Sequence, residues 1–526
     1  MTNVTTQSQH PLIPSWLTSK HLSGMLRGIE KEGLRMQSDG YLAQTPHPKS
    51  LGSKLTHPYI TTDYSESLLE LITSPKPTVA ETLNMLRELH VLVHQSLDEN
   101  GELMWPLSMP CLLSDDDNDI PLADYGTSNV GRLKTLYRSG LGIRYGRRMQ
   151  TIAGLHYNLS FGDNLFNAWR DSLPTAEQLD SLTEFKNTKY LGLIRNFKRM
   201  SSLVLYLTGA SPTVCPCFLT GRKHDLELMN QTTYFKPNAT SLRMSKLGYT
   251  NSVQDQLDIR YNNLPEYVDG LRRAINTPFL GFSKLGLDDK DGSPIQINDH
   301  ILQIENEYYS PIRPKQIAES EETPSHALEA RGIAYVEFRA VDLDPYSDIG
   351  IRLSTACFLE VLALYCLLTD SPDLLPEEDA LLAENLERVV NNGRQPGLTV
   401  KTPSGEVPLK QWMQQHLEAM MPMATLLDEQ YGGNNYRVAL TLMLGKAVYP
   451  DATLSAQVLA DTEKYGSTWK LGYALAQQHR DSIMRNTLSP KTQANYEVLA
   501  EKSWIQQHDL EQSDTQSFYD YIQQYR

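Results

Sequence analysis

The sequence has little positive charge for its length, and this shortage argues against two classes of partner. Its 526 residues include 48 Lys and Arg against 63 Asp and Glu, which gives a net charge of -15. A chain this acidic repels polyanions unless it carries a dense basic patch. The two short arginine clusters, at 144–148 and 195–199, are interleaved with apolar or small residues. We therefore expect neither nucleic acid nor an anionic membrane as a main partner.

Cysteines are also few, and their spacing fits no common cysteine site. There are five, at positions 111, 215, 217, 357 and 366, and they form neither a paired zinc-type motif nor a redox CxxC motif. Cys215-Pro216-Cys217 looks too tight for a metal pair or an easy disulfide. Reduced thiols in a cytoplasmic protein fit this pattern best, and the sequence does not favour cysteine chemistry.

Long apolar runs are missing as well. The first 20 residues hold two prolines and many polar residues, where a signal peptide needs an apolar core of about 7 to 15 residues. The longest apolar run, 356–368, is interrupted by Glu360 and falls short of the roughly 18 apolar residues of a membrane span. This run predicts a buried helix in a protein that is not exported.

The pattern of apolar residues predicts an α+β protein that forms a single large unit, 1–526. Short alternating segments between turn signals predict a sheet-rich part, 24–345, with a largely antiparallel sheet. Apolar residues three and four apart predict a mainly helical part, 346–526. The predicted helices are 79–97, 177–207, 265–275, 349–368, 376–392, 409–429 and 454–480.

Several predicted strands carry polar groups on one face. The period of two in 26–34 puts Glu30 and Glu32 on the same side, with Cα atoms roughly 6.5 Å apart. The same alternation occurs in three more segments: His156 and Asn158 in 153–160, Tyr335, Glu337 and Arg339 in 334–340, and, more loosely, Gln303, Glu305 and Glu307 in 301–307. Any one of these could be an ordinary strand with a solvated face. Together they carry groups that bind metal or phosphate.

Carboxylates and an imidazole are ligands suited to Mg²⁺, with Mn²⁺ as an alternative, and such ions commonly bridge substrate phosphates. The candidate ligands are Glu30, Glu32, Asp63, Glu70, His156 and Glu337. Asp63 and Glu70 could equally be solvated, and His156 could be a core histidine. Arg339 could bind a phosphate through two parallel hydrogen bonds. Because no Walker or dinucleotide glycine motif is present, we expect a metal-lined sheet to hold the phosphates.

Ten segments, ordered along most of the chain, carry a family resemblance. They are RGIEKE (27–32), TTDYSESLLE (61–70), MWPLSMP (104–110), YGTSN (125–129), KTLYR (134–138), QTIAGLH (150–156), TSLR (240–243), LGYTN (247–251), QIENE (303–307) and PIRPK (311–315). With these segments the chain resembles the proteobacterial type of glutamate-cysteine ligase, also called gamma-glutamylcysteine synthetase. The resemblance implies a funnel-like, largely antiparallel sheet similar to that of glutamine synthetase, with surrounding helices and a helical C-terminal portion, in one catalytic unit.

The resemblance also implies an activity, the first step of glutathione biosynthesis. ATP would phosphorylate the γ-carboxylate of L-glutamate, and the amine of L-cysteine would displace phosphate from the γ-glutamyl phosphate, with magnesium ions neutralising the phosphoryl charge. By motif match, the six candidate ligands above would bind metal, and Arg339 would be the catalytic phosphate contact. The implied substrate contacts are Arg243 and Gln150 for glutamate, and Tyr64, Tyr137, Tyr249 and Tyr309 for the side chain of cysteine.

The sequence leaves several alternative interpretations of function open. Tyr64 stands where the family carries phenylalanine, and the added hydroxyl could alter the choice of acceptor. A ligase of the same fold that uses another amine would keep most of these residues. A metal-binding protein without turnover would keep the carboxylates but need neither Arg339 nor Arg243, and Arg243 could be a surface arginine. Oligomeric state is also open, with a monomer as one possibility.

Overall fold

The computed structural model describes residues 13–175, 178, 181–248, 253–254, 257–319 and 322–526. The strands of the described residues are β1 Leu26–Met36, β2 Ile60–Thr62, β3 Leu68–Ile72, β4 Leu103–Met104, β5 Leu155–Ser160, β6 Thr213–Val214, β7 Glu227–Met229, β8 Thr233–Phe235, β9 Ile312–Lys315, β10 Tyr335–Val341, β11 Thr399–Thr402 and β12 Gly405–Pro408. The helices are α1 Val79–Asp98, α2 Asn129–Tyr145, α3 Asp163–Asp171, α4 Leu182–Thr208, α5 Leu264–Asn276, α6 Leu280–Ser283, α7 Pro324–Arg331, α8 Leu353–Leu368, α9 Pro376–Asn392, α10 Leu409–Ala419, α11 Met421–Tyr431, α12 Asn435–Val448, α13 Leu454–Tyr465, α14 Thr468–Ile483, α15 Pro490–Ser513 and α16 Phe518–Ile522.

The main sheet has the strand order β2-β3-β1-β5-β10-β9, and β4 extends β1 at its far end. Every neighbouring pair is antiparallel. Directly opposed residues share a face, and one such row, Ile29, Tyr157, Phe338 and Ile312, is completely buried. Helices α1 and α4 pack on the sheet, and α8 packs on α1, α4 and α12. The predicted α+β class with an antiparallel sheet is confirmed.

The apolar run at 356–368 forms most of α8, which is buried almost throughout, as predicted. Its Glu360 is fully buried but not isolated. Arg27 of β1 binds both carboxylate oxygens at 2.7 and 2.9 Å. The hydroxyls of Tyr157 and Tyr436 each donate to Glu360 at 2.7 Å. A buried charge is tolerated when every lone pair is engaged, so this network fastens the sheet to α8 and α12.

No helix of the described residues combines the length and the apolar composition that crossing a bilayer requires.

Most predicted helices are present, but two are divided. Predicted helix 409–429 ends at Ala419 and restarts at Met421, because Pro422 in the first turn of α11 has no N–H to continue the ladder. Predicted helix 454–480 is divided by Gly466, whose left-handed backbone (φ 88°) ends α13. Ser467 then caps α14 by accepting from the backbone N–H of Lys470.

The strand predicted at 301–307 is wrong. The segment forms turns and a short 3-10 helix at Glu305–Glu307. Its two acidic residues each accept a backbone hydrogen bond: Glu305 from Ser325 N in the first turn of α7 at 2.8 Å, and Glu307 from Gln303 N at 2.8 Å. The alternation of polar residues therefore reflects hydrogen bonds from backbone N–H groups and not the polar face of a strand.

Helix α2 was missed by sequence reasoning because glycines at 131, 140 and 142 weaken its helical pattern. Those glycines allow close packing. A Cβ on Gly140 would come within 2.0 Å of the Gln303 side chain, and one on Gly142 within 2.3 Å of the Tyr64 hydroxyl. Helix α2 therefore packs directly against the side chains of Gln303 and Tyr64.

Removing the charge of Glu360 should destabilise the fold strongly, because Arg27 would then be buried without a counterion. We expect Glu360→Gln to lower the free energy of unfolding by about 3 to 5 kcal/mol. The measurement is urea unfolding of variant and unaltered protein. Glu384→Gln, which removes an exposed partner of Arg388, is the matched control and should cost less than about 1 kcal/mol. Equal effects in the two variants would contradict the role of the network.

Two histidines of α1, His90 and His94, are buried behind the sheet, and their ring nitrogens have no hydrogen-bond partner among the described residues. Burial, and then the nearby Lys31 and His479, lower the pKa of His94 to about 3. Burial likewise holds the pKa of His90 well below its ordinary value. Other charged groups around them are Arg87, Arg480 and Asp348.

These lowered pKa values make the fold acid-sensitive. Histidine in the unfolded chain binds a proton near pH 6.5, whereas the folded rings stay neutral. The free energy of unfolding therefore has its full value above that pH and decreases as the pH falls below it. We expect each ring to lower the free energy of unfolding by about 2 kcal/mol at about pH 5. Urea unfolding across this range should show a shallower pH slope for His94→Leu, and an unchanged slope for the exposed control His326→Asn. An unchanged slope in His94→Leu would refute the prediction.

Candidate active site

The register of the main sheet aligns most of the predicted polar residues in one row across the strands. Glu32 of β1 lies opposite Glu70 of β3, and Glu30 lies opposite His156 of β5. Asn158 of β5 lies opposite Glu337 of β10. Opposed residues point to the same face, so four strands contribute to one polar surface. Asp63, directly after β2, joins this surface at its edge.

Glu30, His156 and Glu337 form the centre of this surface. Nδ1 of His156 lies 3.2 Å from Glu30 Oε2 and 3.6 Å from Glu337 Oε1. One ligand atom from each residue lies within 4.8 Å of the others, and the described residues contain no other group of three with this geometry. Oε1 of Glu337 is buried and has no hydrogen-bond partner among the described residues. Burying an unpaired carboxylate oxygen is costly, so this oxygen is suited to accept a cation.

Glu32, Asp63 and Glu70 form the second part of the surface. Glu32 Oε2 accepts from the backbone N–H of Gly154 at 2.6 Å, and its other oxygen lies 4.0 Å from His156 Nε2. Burial, and then repulsion from Asp63, raise the pKa of Glu32 to about 8. Burial, and then Glu30 and Asp63, also raise the pKa of Glu70 well above its ordinary value. These carboxylates are therefore crowded, and a cation among them would relieve the repulsion.

Positive side chains border Glu337 on the opposite side. Arg339 Nη1 lies 3.0 Å and Lys315 Nζ 3.2 Å from Glu337 Oε2. Burial would raise the pKa of Glu337, but Lys315 and Arg339 hold it well below its ordinary value. Arg313, opposite Glu337 on β9, is also buried. Lys315 and Arg313 were not predicted as site residues, although the PIRPK segment that holds them is part of the resemblance, and Asn158 was placed on a polar strand face without an assigned role.

Arg243 lies in a short 3-10 helix, Leu242–Met244, and is 1% exposed, which excludes a surface arginine. Its Nε donates to Asp342 at 2.8 Å, and its Nη2 donates to the carbonyls of Arg339 and Val341 at 3.0 and 2.8 Å. Its Nη1 lies so close to Gly154 that a Cβ there would come within 2.9 Å. The guanidinium is therefore fixed between β10 and the residue that binds Glu32.

Gln150 lies in the 3-10 helix Arg148–Thr151, which leads into β5, and is half-buried. This turn begins two residues after Gly146 ends α2. Gln150 therefore stands at the entrance to the strand that carries His156.

The proposed tyrosine pocket is only partly described. The Tyr64 side chain is buried, and its hydroxyl lies against Gly142 of α2 with no hydrogen-bond partner among the described residues. Tyr137 is half-buried on the same helix, and its carbonyl accepts from Gln303. The Tyr309 hydroxyl lies 2.8 Å from Met244 Sδ; burial raises its pKa, although Arg243 and Arg339 oppose this rise. Tyr249 lies outside the described residues.

Comparison with known proteins identifies the family. Residues 14–389 match the family model for glutamate-cysteine ligase. The chain is 45% identical over 509 residues to the glutamate-cysteine ligase of Alcanivorax borkumensis, covering 96% of each chain. It is 44% identical over 503 residues to that of Azotobacter vinelandii, covering 95% of this chain and 94% of the other. The chain belongs to the glutamate-cysteine ligase family.

A solved structure supports the same conclusion. The crystal structure of the glutamate-cysteine ligase of Francisella tularensis in complex with AMP has a TM-score of 0.89 to this chain at 34% identity, over 96% of this chain and 97% of the other. The protein is therefore an ATP-dependent ligase that joins the γ-carboxylate of L-glutamate to the amine of L-cysteine through γ-glutamyl phosphate, the first step of glutathione synthesis. The predicted family and activity are confirmed, and the alternative without turnover is excluded.

The crowded carboxylates give a direct test of metal binding. Glu32→Gln removes a charge but keeps the shape, so the metal-free protein should melt at the same or a higher temperature than the unaltered one. The rise in melting temperature on adding Mg²⁺ with a nucleotide, relative to chelator, should shrink, and turnover should fall by more than about 100-fold, beyond the effect typical of residues that only orient ligands.

The matched control is Glu384→Gln, an exposed carboxylate of α9, which should leave both the melting shift and turnover unchanged. Near-normal turnover in Glu32→Gln would remove Glu32 from the set of metal ligands.

Proposed function

We propose that the polar surface on β1, β3, β5 and β10 is the active site and that it binds Mg²⁺, with Mn²⁺ able to replace it. The observation that carries this proposal is the unpartnered, buried Oε1 of Glu337 beside His156 and Glu30. The donor set is rich in oxygen and contains a single imidazole, which suits hard divalent cations. The residues present therefore fit the metal that the family implies.

We assign the ligands to two adjoining groups. Glu30, His156 and Glu337 form one, and Glu32, Asp63 and Glu70 the other, with His156 Nε2 and Glu32 Oε1 4.0 Å apart between them. When bound there, the metal would neutralise the charge of the ATP phosphates and of the phosphoryl group in transfer. The sheet itself supplies rigidity, because all but Asp63 of the six side chains stand on hydrogen-bonded strands.

Arg339 and Lys315 are the groups of this chain that would contact the phosphoryl oxygens. Both are held beside Glu337, within 3.2 Å of its carboxylate. Their positive charge is therefore fixed before substrate binds, and no reorganisation is needed as negative charge develops on the transferring group. Arg339 Nε is buried without a partner in the described residues, so the guanidinium keeps donor capacity for a ligand.

Arg243 would hold the α-carboxylate of glutamate, and Gln150 would help to orient the same substrate. Arg243 lies next to Gly154, whose N–H fixes Glu32, so glutamate bound to Arg243 would stand beside the metal-binding carboxylates. Asp342 and two carbonyls keep the guanidinium in one orientation. Such positioning brings the γ-carboxylate to the phosphoryl donor and supplies much of the rate enhancement of this kind of reaction.

Tyr64, Tyr137, Tyr249 and Tyr309 would form the pocket for the cysteine side chain. A thiol is a weak hydrogen bonder, so such a pocket selects by size and apolar contact. The tyrosine rings suit this task because burial raises the pKa of Tyr64 to about 12 and keeps its hydroxyl neutral.

We further propose a sheet-rich catalytic part at 24–345, with a funnel like that of glutamine synthetase, and a mainly helical supporting part at 346–526. Every residue assigned above lies in the first part, whereas α8 and α12 of the second contribute Glu360 and Tyr436 behind the sheet. A cytoplasmic monomer is the working hypothesis for the state of the protein.

Acceptor choice tests the assignment of the pocket. Product formation should be measured with ATP, Mg²⁺, glutamate and a panel of amines that includes cysteine, 2-aminobutyrate and serine. We expect 2-aminobutyrate, which replaces the thiol by a methyl group, to be used better than serine, because the serine hydroxyl must give up water in an apolar pocket. Serine outperforming 2-aminobutyrate would contradict an apolar pocket.

The role of Arg243 predicts a selective kinetic defect. A lysine lacks the planar guanidinium that Asp342 and two carbonyls hold in one orientation, so Arg243→Lys should raise KM for glutamate about 10-fold to 100-fold, the range for hydrogen bonds to charged groups, while KM for ATP stays nearly constant. Steady-state kinetics with each substrate varied in turn provide the measurement.

The matched control is Arg195→Lys, because Arg195 is a buried arginine that binds the carbonyls of Tyr261 and Ser371 away from the site. It should lower stability without changing either KM. If Arg243→Lys raises KM for ATP instead of glutamate, the assignment is wrong.

A further inference from the structure

Cys215 and Cys217, for which the sequence predicts no chemistry, lie in contact in the structure. Sγ of Cys217 is 2.8 Å from Sγ of Cys215. A disulfide bond is about 2.05 Å long, so a small movement would bring the two sulfur atoms within bonding distance. The reason is local: Cys215 is extended, and Pro216 starts the 3-10 helix Pro216–Leu219, which turns the next thiol back onto the first. The motif therefore holds the two thiols in contact, and both cysteines are free in the structure.

The surroundings of the two thiols differ. Cys215 is buried, whereas Cys217 is half-buried. The backbone N–H of Leu113 points to Cys217 Sγ at 3.4 Å, and Arg148 binds the Cys217 carbonyl at 2.6 Å. The thiol of Cys215 and then the Leu113 N–H lower the pKa of Cys217, although burial opposes them, whereas the pKa of Cys215 is raised by the Cys217 contact and by burial. Cys217 is therefore the more exposed of the two thiols and the one with the more stable thiolate.

We propose that Cys215 and Cys217 form a reversible dithiol–disulfide site that reacts with low-molecular-weight disulfides, with Cys217 as the attacking thiol. The Cys217 thiolate attacks one sulfur of a disulfide RSSR, which forms a mixed disulfide and releases RS⁻. Cys215 then loses its proton and attacks Sγ of Cys217, which closes the Cys215–Cys217 bond and releases the second RS⁻. Both RS⁻ groups take up protons. The protein loses two electrons and two protons, and RSSR gains them.

The chemistry suits a reversible site. A bridge between residues two apart closes a small ring, and strained or exposed disulfides have the higher reduction potentials typical of labile bonds. The attacking thiol must be deprotonated and must be reachable by the disulfide reagent, and both conditions favour Cys217 over Cys215. Because the acceptor substrate is cysteine, the disulfide of that amino acid belongs to the class of reagent that this site would meet.

The test uses the full-length enzyme and 2-hydroxyethyl disulfide as the probe. After incubation in the native state, acid quenching and alkylation of remaining thiols, tryptic digestion yields peptide 200–222, which contains both cysteines and no other. We expect this peptide to be recovered without alkylation and lighter by the mass of two hydrogen atoms, and dithiothreitol to restore both thiols. Recovery of two alkylated thiols at 215 and 217, or of a bridge from Cys217 to Cys111, would overturn the proposal.

Single variants assign the order of attack. Cys215→Ser removes the second step, so the mixed disulfide should accumulate on Cys217. Cys217→Ser removes the attacking thiol, so Cys215 should stay unmodified. Cys366→Ser, which removes a buried thiol of α8, is the control and should form the bridge like the unaltered enzyme. Modification of Cys215 in Cys217→Ser as fast as that of Cys217 in Cys215→Ser would overturn the assignment. Since the mass measurement on the unaltered enzyme needs no variant, it decides the proposal even where a variant fails to fold.

Discussion

Five carboxylates and one imidazole converge on one face of an antiparallel sheet, and this crowding of negative charge is the constraint around which the structure is arranged. Carboxylates packed this closely raise one another's pKa values, as Glu32 and Glu70 show. Three of the groups have a local partner: the Gly154 N–H for Glu32, the Asn158 amide for Glu30, and Lys315 and Arg339 for one oxygen of Glu337. These partners hold the three carboxylates in place on the face.

The opposite face of the same strands carries the mechanical support. Residues of β1 alternate between the two faces, so Glu30 and Glu32 project toward the site while Arg27, Ile29 and Lys31 project toward the helices. Arg27 meets Glu360 of α8, and Tyr157 of β5 joins the same carboxylate. A shift of β1 by one residue would exchange the faces, bringing Arg27 to the polar face and the carboxylates into the core. The buried ion pair therefore fixes the strand register that the active site requires.

Charge is separated along the sheet as well as across it. The acidic groups lie toward β1 and β3, whereas Arg313, Lys315 and Arg339 lie on β9 and β10, with Glu337 and His156 between them. A phosphate placed at this boundary would contact the positive side chains on one side and would lie beside the carboxylates on the other. Such preorganised polarity is what phosphoryl transfer needs, because the reaction depends mainly on positioning and charge stabilisation.

The sequence by itself determined the strands that carry the site and the chemistry of their polar faces. The period of two in 26–34, 153–160 and 334–340 identified Glu30, Glu32, His156 and Glu337, because alternation along a strand is a local property. The same signal failed at 301–307, where capping bonds produced an equal alternation, and it gave no indication of α2, whose glycines serve packing.

Only the tertiary structure decided which strands are neighbours, and with that which groups meet. The order β3-β1-β5-β10-β9 places Lys315 and Arg313 beside Glu337, although no spacing in the sequence relates them. The tertiary structure also buries Arg243 against Asp342. Contacts between distant segments depend on strand pairing and on helix packing across the sheet, and a pattern confined to a few residues carries no information about either.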